Sequence, residues 1–218
     1  MHSTSILMTI SLVLLLVAAA PTPCPETLIL PRNADPVAQL LSIAPTAATC
    51  DGAPIPAECA TASDAAGPII DGFAKYGVGS AGEQAALIAW MVFESGEFKY
   101  NIHHIPTEVP GQGTRCMMGA TFTGQYANSI PSLAAEAAKL TDPNAIMALV
   151  LPNPLSFAAA SWYYTSQSQC VGVRDGLKAG TQDGYVAFLT NCVQTTLDAA
   201  GMRLKYWQAA AAALGLPQ

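Results

Sequence analysis

Charge is scarce in this 218-residue chain: 11% of residues are Asp, Glu, Lys or Arg, and nine cations stand against fifteen acids. No basic run exists that could track a phosphate backbone, and the formal net charge is −6, so nucleic acid is excluded as an expected partner. No cysteine pair has Cys-x-x-Cys spacing, so zinc is not expected, and the residues imply no other cofactor. No Asn-x-Ser/Thr glycosylation acceptor is present. Sustained alternation of apolar and polar residues is missing, which excludes a sheet as the main architecture, and no repeat period is visible.

What is present begins with an apolar run, Ile6 to Ala18, interrupted only by Thr9 and Ser11 and leading into Ala18-Ala19-Ala20 before Pro21. A short hydrophobic region ending in small residues is the pattern of a cleavable signal peptide, here residues 1–20, although its start carries no Lys or Arg. The run is shorter than the roughly 20 residues a membrane-spanning helix needs, so no membrane association is expected after cleavage, and the mature chain is expected outside the cell. All six cysteines (Cys24, Cys50, Cys59, Cys116, Cys170 and Cys192) follow this leader, as expected for an oxidising compartment. Up to three disulfides are expected among 15 possible connectivities, with Cys170–Cys192 and Cys50–Cys59 the first choices and Cys116 a candidate free thiol.

Residues 21–56 form a Pro/Ala-rich extension with one short helix, where Asp35 caps and Pro36 occupies the first turn. Residues 57–218 are expected to form one mainly α domain. Thr61 with Asp64 and Ser80 with Glu83 are capping boxes, each opening a helix. The pairs Ser129–Pro131, Asp142–Pro143 and Asn153–Pro154 predict three more starts, and a last long element is expected from Thr181 onward. At most a small hairpin is expected between Lys99 and Ala120.

The second of these helices reads Ala-Ala-Leu-Ile-Ala-Trp-Met-Val-Phe from Ala85 to Phe93, apolar on every face, which predicts a buried central helix. Glu94 follows at its end. Leu87, Trp90 and Met91 precede it by seven, four and three positions, so its carboxylate continues an apolar stripe. An apolar surround and the negative end of a helix dipole both disfavour the ionised form, and a carboxyl that retains its proton in a cleft is a general acid. Glu97, Glu108 and Asp142 are the candidates for a second carboxylate. Tyr100, Phe122, Tyr126, Trp162, Tyr163 and Tyr164 could present faces to sugar rings. Gln112 and Arg115 are the best polar candidates for sugar hydroxyls, while the adjacent His103 and His104 lack the acidic or thiolate neighbours of a metal site.

The order of these motifs resembles the lysozyme-like superfamily, in particular its soluble lytic transglycosylase and goose-type lysozyme branch. Glu94, Ser95 and Phe98 resemble that family's Glu-Ser-x-Phe, with one extra residue inserted. Gly113 to Met118 is similar to Gly-x-Met-Gln, with Met117 at the methionine and Met118 where glutamine is expected. Ala160-Ser161-Trp162-Tyr163-Tyr164 is similar to Ala-x-Tyr-Asn without the asparagine, and its Trp162-Tyr163 also resembles plant-type chitinases of the superfamily. The resemblance spans roughly Thr61 to Trp207. It implies a lysozyme-like fold and a glycosidase or lytic transglycosylase cleaving a β-1,4-linked amino-sugar polymer, with peptidoglycan the first expectation, a chitin-like chain the second, and a chitinase- or chitosanase-type hydrolase of the same fold an alternative. Glu94 would be the single acid and base, because a transglycosylase can use the sugar's own hydroxyl as nucleophile. The implied substrate contacts are Ser95, Gln112, Arg115, Met117, Met118, Tyr126, Trp162 and Tyr163. A monomer is expected, as is a second class of function: a secreted carbohydrate binder or effector that keeps the scaffold without turnover, motivated by the missing Gln and Asn.

Overall fold

The computed structural model describes residues 35–104 and 106–217. The expected leader, the first part of the extension and Cys24 lie outside the described residues. Among the described residues the chain is mainly helical: α1 (Pro36–Ile43), α2 (Ala62–Tyr76), α3 (Ala81–Glu94), α4 (Ala120–Ser129), α5 (Pro131–Ala137), α6 (Pro143–Ala148), α7 (Asn153–Ser166), α8 (Arg174–Lys178), α9 (Gln182–Ala187) and α10 (Met202–Ala213). Between Lys99 and Ala120 the expected hairpin is reduced to two isolated bridges, Ile102 with Gly113 and Gly113 with Met118.

Four of the helix starts form as local chemistry dictates. Asp35 accepts from the Val37 N–H, Asp142 from that of Asn144, and both capping boxes close reciprocally, Thr61 with Asp64 and Ser80 with Glu83. Two expected caps are used elsewhere. Ser129 Oγ donates to the Tyr126 carbonyl, and Asn153 Oδ1 accepts from Arg115, so α5 and α7 begin with no side-chain cap and rely on proline in the first turn. The last long element is also broken. After α9 the chain makes a π-helical turn, Phe188–Val193, then stops at Gln194 in the left-handed region (φ 62°). Asp198 restarts it by accepting from the N–H groups of Met202 and Arg203, which opens α10.

The core is built around α3, whose residues from Gly82 to Val92 are buried, as its uniformly apolar sequence requires. α10 lies along it, α8 packs against it, and α7 meets it from another side. α2 packs closely on α7 because the crossing is made of small side chains: a Cβ added at Gly72 would stand 2.9 Å from Ala158 Cα. α1 touches both α2 and α10, and its Leu40 and Ile43 belong to the same apolar cluster that reaches Leu214. The described part of the extension is therefore packed into the body. Each such leucine or isoleucine contributes about 1.5–3 kcal/mol by leaving water.

Both expected disulfides are present, Cys50–Cys59 and Cys170–Cys192, and Cys116 is free and buried. The π-helical turn carries Cys192 to its partner. Among the described residues no helix is long and apolar enough to cross a membrane.

Candidate active site

Glu94 is the last residue of α3, where the buried rod meets open space. Two hollows open to solvent share it as a wall. The first, about 170 Å³, is lined by Phe93, Glu94, Tyr100, Ile102, His103, His104 and Met117. In the second, about 240 Å³, the apolar walls include Trp90, Met117, Phe122 and Tyr163, with Gln112 and Arg203 as polar companions of Glu94. Glu94 and Met117 belong to both, so the two hollows, together the groove, adjoin at one carboxylate.

The chain around this groove is strained. Among the described residues five non-glycine residues have positive φ: Glu97, Phe98, Thr114, Met117 and Gln194. Glu97 and Phe98 come three and four residues after Glu94, Thr114 and Met117 lie on either side of Cys116, and Gln194 sits between groove-lining Val193 and Thr195. A bulky side chain in that region costs on the order of 1–3 kcal/mol and persists only where surrounding contacts over-determine it. Here they do. The Glu97 N–H donates to the Val92 carbonyl at 2.8 Å, and fully buried Phe98 meets Phe157 edge-on, with ring centroids 5.1 Å apart. Gly113 has no room for a side chain either, since a Cβ there would stand 2.6 Å from Met147 Sδ. Strain that collects around one groove in an otherwise regular helical protein marks it as the candidate site.

Glu94 does not sit alone. Arg203 Nη1 of α10 lies 2.7 Å from Glu94 Oε1, and the guanidinium stacks over the Phe93 ring at 3.9 Å. Nη1 makes no directed hydrogen bond, so the contact is close but poorly aligned, and Arg203 retains donor capacity. The sequence of α3 alone predicts an uncharged surround for Glu94, and α10 places a cation in it.

The other expected residues divide between groove and scaffold. Gln112, Met117, Met118 and Tyr163 line the second hollow. Gln112 Nε2 donates to the Met117 carbonyl, and the Tyr163 hydroxyl donates to that of Cys192. Ser95 is buried away from the groove: its Oγ donates to the Met91 carbonyl at 2.6 Å and accepts from Phe98 N–H, which shapes the turn after α3. Arg115 is also structural. Only 1% exposed, it donates to the carbonyls of Phe98 and Tyr100 and to Asn153 Oδ1, and lies over the Phe157 ring. Burial holds its pKa down to about 10, with Glu58 and Asp64 opposing the shift. Tyr126 donates to the Leu155 carbonyl from the core, and Trp162 packs on its ring 5.0 Å away; neither lines a hollow at Glu94.

None of the expected second carboxylates faces Glu94. Glu97 accepts from the N–H and hydroxyl of Thr46 and from the Tyr206 hydroxyl, Glu108 pairs with His104, and Asp142 caps α6. Among the described lining residues of the two hollows, Glu94 is the only carboxylate. Cys116 also borders the second hollow, but burial pushes its thiol up to about 12, too high for a nucleophile.

No family model matches the chain. It is 33% identical, in an alignment 156 residues long that covers 68% of this chain, to a protein of Fusarium oxysporum (strain Fo5176) described as a bifunctional dioxygenase (DOX)-epoxy alcohol synthase (EAS). The chain spans 12% of the length of that relative, and the named activities are those of the relative as a whole.

Arg203 is the residue the sequence reading missed. A signal for it exists: Trp207, Ala210, Ala211 and Leu214 follow it at helical spacing and are buried, which puts an arginine on the inner face of the last helix. Trp90, Phe93 and Phe122 complete the apolar walls. The arrangement offers an ion-paired carboxylate between aromatic and thioether surfaces, which suits a neutral, ring-shaped ligand with hydroxyl or amide groups.

Proposed function

We propose that this chain is an exported protein of lysozyme-like architecture that cleaves a β-1,4-linked amino-sugar polymer, with Glu94 at the point of cleavage. The observation that carries the reading is the carboxylate of a buried helix end, one fifth exposed, at the junction of two hollows walled by Trp90, Phe93, Met117, Phe122 and Tyr163. Two hollows meeting at a single acidic group suit sugar rings on either side of a scissile bond. Their largely neutral lining favours an N-acetylated chain, chitin-like or peptidoglycan glycan, over a polycation.

With Arg203 as its counter-ion, Glu94 works as a carboxylate. In this role it accepts the proton of the attacking water or sugar hydroxyl and stabilises positive charge that develops at the anomeric carbon. The single-acid scheme, in which Glu94 first donates, is the other use the same carboxyl could serve.

The same ion pair favours a second reading, a carbohydrate binder without turnover, because a paired carboxylate is a poor acid. Mass spectrometry of the products from acetylated chitooligosaccharides and from peptidoglycan separates the two. Cleavage predicts reducing or anhydro-sugar ends from the wild type and at least a 10²-fold slower release from Glu94→Gln, with an unchanged thermal midpoint. Binding without fragments at any pH overturns the cleavage reading, and full activity of Glu94→Gln removes this residue from it.

A further inference from the structure

We propose that His103 is the proton donor of this groove, delivering its proton to the leaving glycosidic oxygen while the Glu94 carboxylate takes the proton of the attacking hydroxyl; this rests on the cleavage reading above. Glu94 faces Arg203, and no other described carboxylate lines either hollow, so a leaving oxygen needs an acid of another type. His103 borders the first hollow together with Glu94. Its backbone is anchored, since the His103 N–H donates to the Gln112 carbonyl at 3.1 Å beside the Ile102–Gly113 bridge. Its ring is free of hydrogen-bond partners among the described residues, and Nδ1 is buried without one. Nδ1 is closed off from any ligand, so Nε2, which has no partner among the described residues, is the ring nitrogen that can meet one in the hollow.

The neighbouring histidine shows what the alternative looks like. His104 has both ring nitrogens engaged, Nε2 2.7 Å from Glu58 Oε1 and Nδ1 3.2 Å from Glu108 Oε1. It holds the loop, while His103 faces the hollow unengaged. The groups around His103 are Glu94 at the end of α3 and Tyr100 and His104 on its own loop, with Arg203 of α10 against Glu94 and Glu58 and Glu108 taken up by His104.

The step balances. The His103 imidazolium gives its proton to the glycosidic oxygen, the bond between that oxygen and the anomeric carbon breaks with its electron pair going to oxygen, and water or a sugar hydroxyl bonds to the same carbon while its own proton passes to Glu94. Solvent then returns a proton to His103 and removes one from Glu94.

A general acid is needed only when the leaving group is poor, and this gives the test. His103→Gln should slow release from an acetylated chitooligosaccharide at least 10²-fold, yet cleave the dinitrophenyl glycoside of the same sugar within a few-fold of wild type; His103→Asn serves as the second variant. Glu94→Gln should lose both activities. Equal losses on the two substrates, or no loss, overturn the role of His103 alone, whereas a wild type that cleaves neither substrate overturns the cleavage reading and this inference with it.

Discussion

Two arginines of this protein are nearly sheltered from water, each lies over a phenylalanine ring, and they do opposite things. Arg115 directs its guanidinium hydrogens at two carbonyls and an amide oxygen, so its charge is dispersed into the backbone that shapes the turn after α3. Arg203 keeps Nη1 without an aligned acceptor and sets it 2.7 Å from a carboxylate at a groove. Burial alone does not separate scaffold from site. Where the Nη atoms point does: Arg115 also keeps a buried Nε without a partner, but its Nη atoms are spent on two carbonyls and Asn153, whereas Arg203 Nη1 stands beside an accessible carboxylate and can respond to a ligand.

The contrast can be broken from either side. Arg115→Met keeps the stem over Phe157 and leaves the Tyr100 carbonyl and the Asn153 amide oxygen without their donor, while the Phe98 carbonyl keeps only the Ala60 N–H. The expected loss is about 3 kcal/mol of unfolding free energy by urea titration, and a stable variant would end the scaffold role. Arg203→Met should do the reverse, lowering fragment release about 10²-fold while costing about 1 kcal/mol of stability or less, since Glu94 can be solvated when its partner is removed. If the two variants lose stability alike, Arg203 is scaffold too.

Smaller changes sharpen the picture. Asp198→Ala removes the acceptor of two α10 N–H groups and should cost about 1 kcal/mol, with a measurable part of the Arg203→Met activity loss because the root of Arg203 loosens. His104 provides the smallest effect. Burial alone would pull its pKa down, but Glu58 and then Glu108 more than offset this and leave it raised. A raised folded pKa means that the stabilisation is complete below the unfolded value near 6.5 and fades as pH rises through the folded value. The thermal midpoint should therefore decline slightly on passing from acid to neutral and mildly alkaline pH, and His104→Gln should flatten that decline.

Much of the architecture was legible residue by residue. Thr61 with Asp64 and Ser80 with Glu83 carry both halves of their hydrogen-bond pattern within four residues, so the helix start is written where it forms. The uniformly apolar stretch before Glu94 required a buried helix, and the two cysteine pairs placed first among the possible connectivities are the two described disulfides. Ser129 and Asn153 misled because a cap's oxygen has competing partners: Tyr126 and Arg115 took them. Ser95 and Arg115 carry groups that suit ligand contacts, yet the strained turn after α3 consumed them internally.

What the amino-acid order determined by itself is the helical class, the places where several helices begin, and a glutamate at the end of an apolar rod, since each depends on chemistry within a few neighbouring residues. What only the tertiary structure decided is the company that glutamate keeps: Arg203 from the last helix, the hollow it shares with His103, and the withdrawal of Arg115, Tyr126 and Trp162 into the interior. The reason is electrostatic and steric. The proton preference and reach of a side chain depend on charges and surfaces within a few ångströms, and helices distant in sequence bring those together only when they pack.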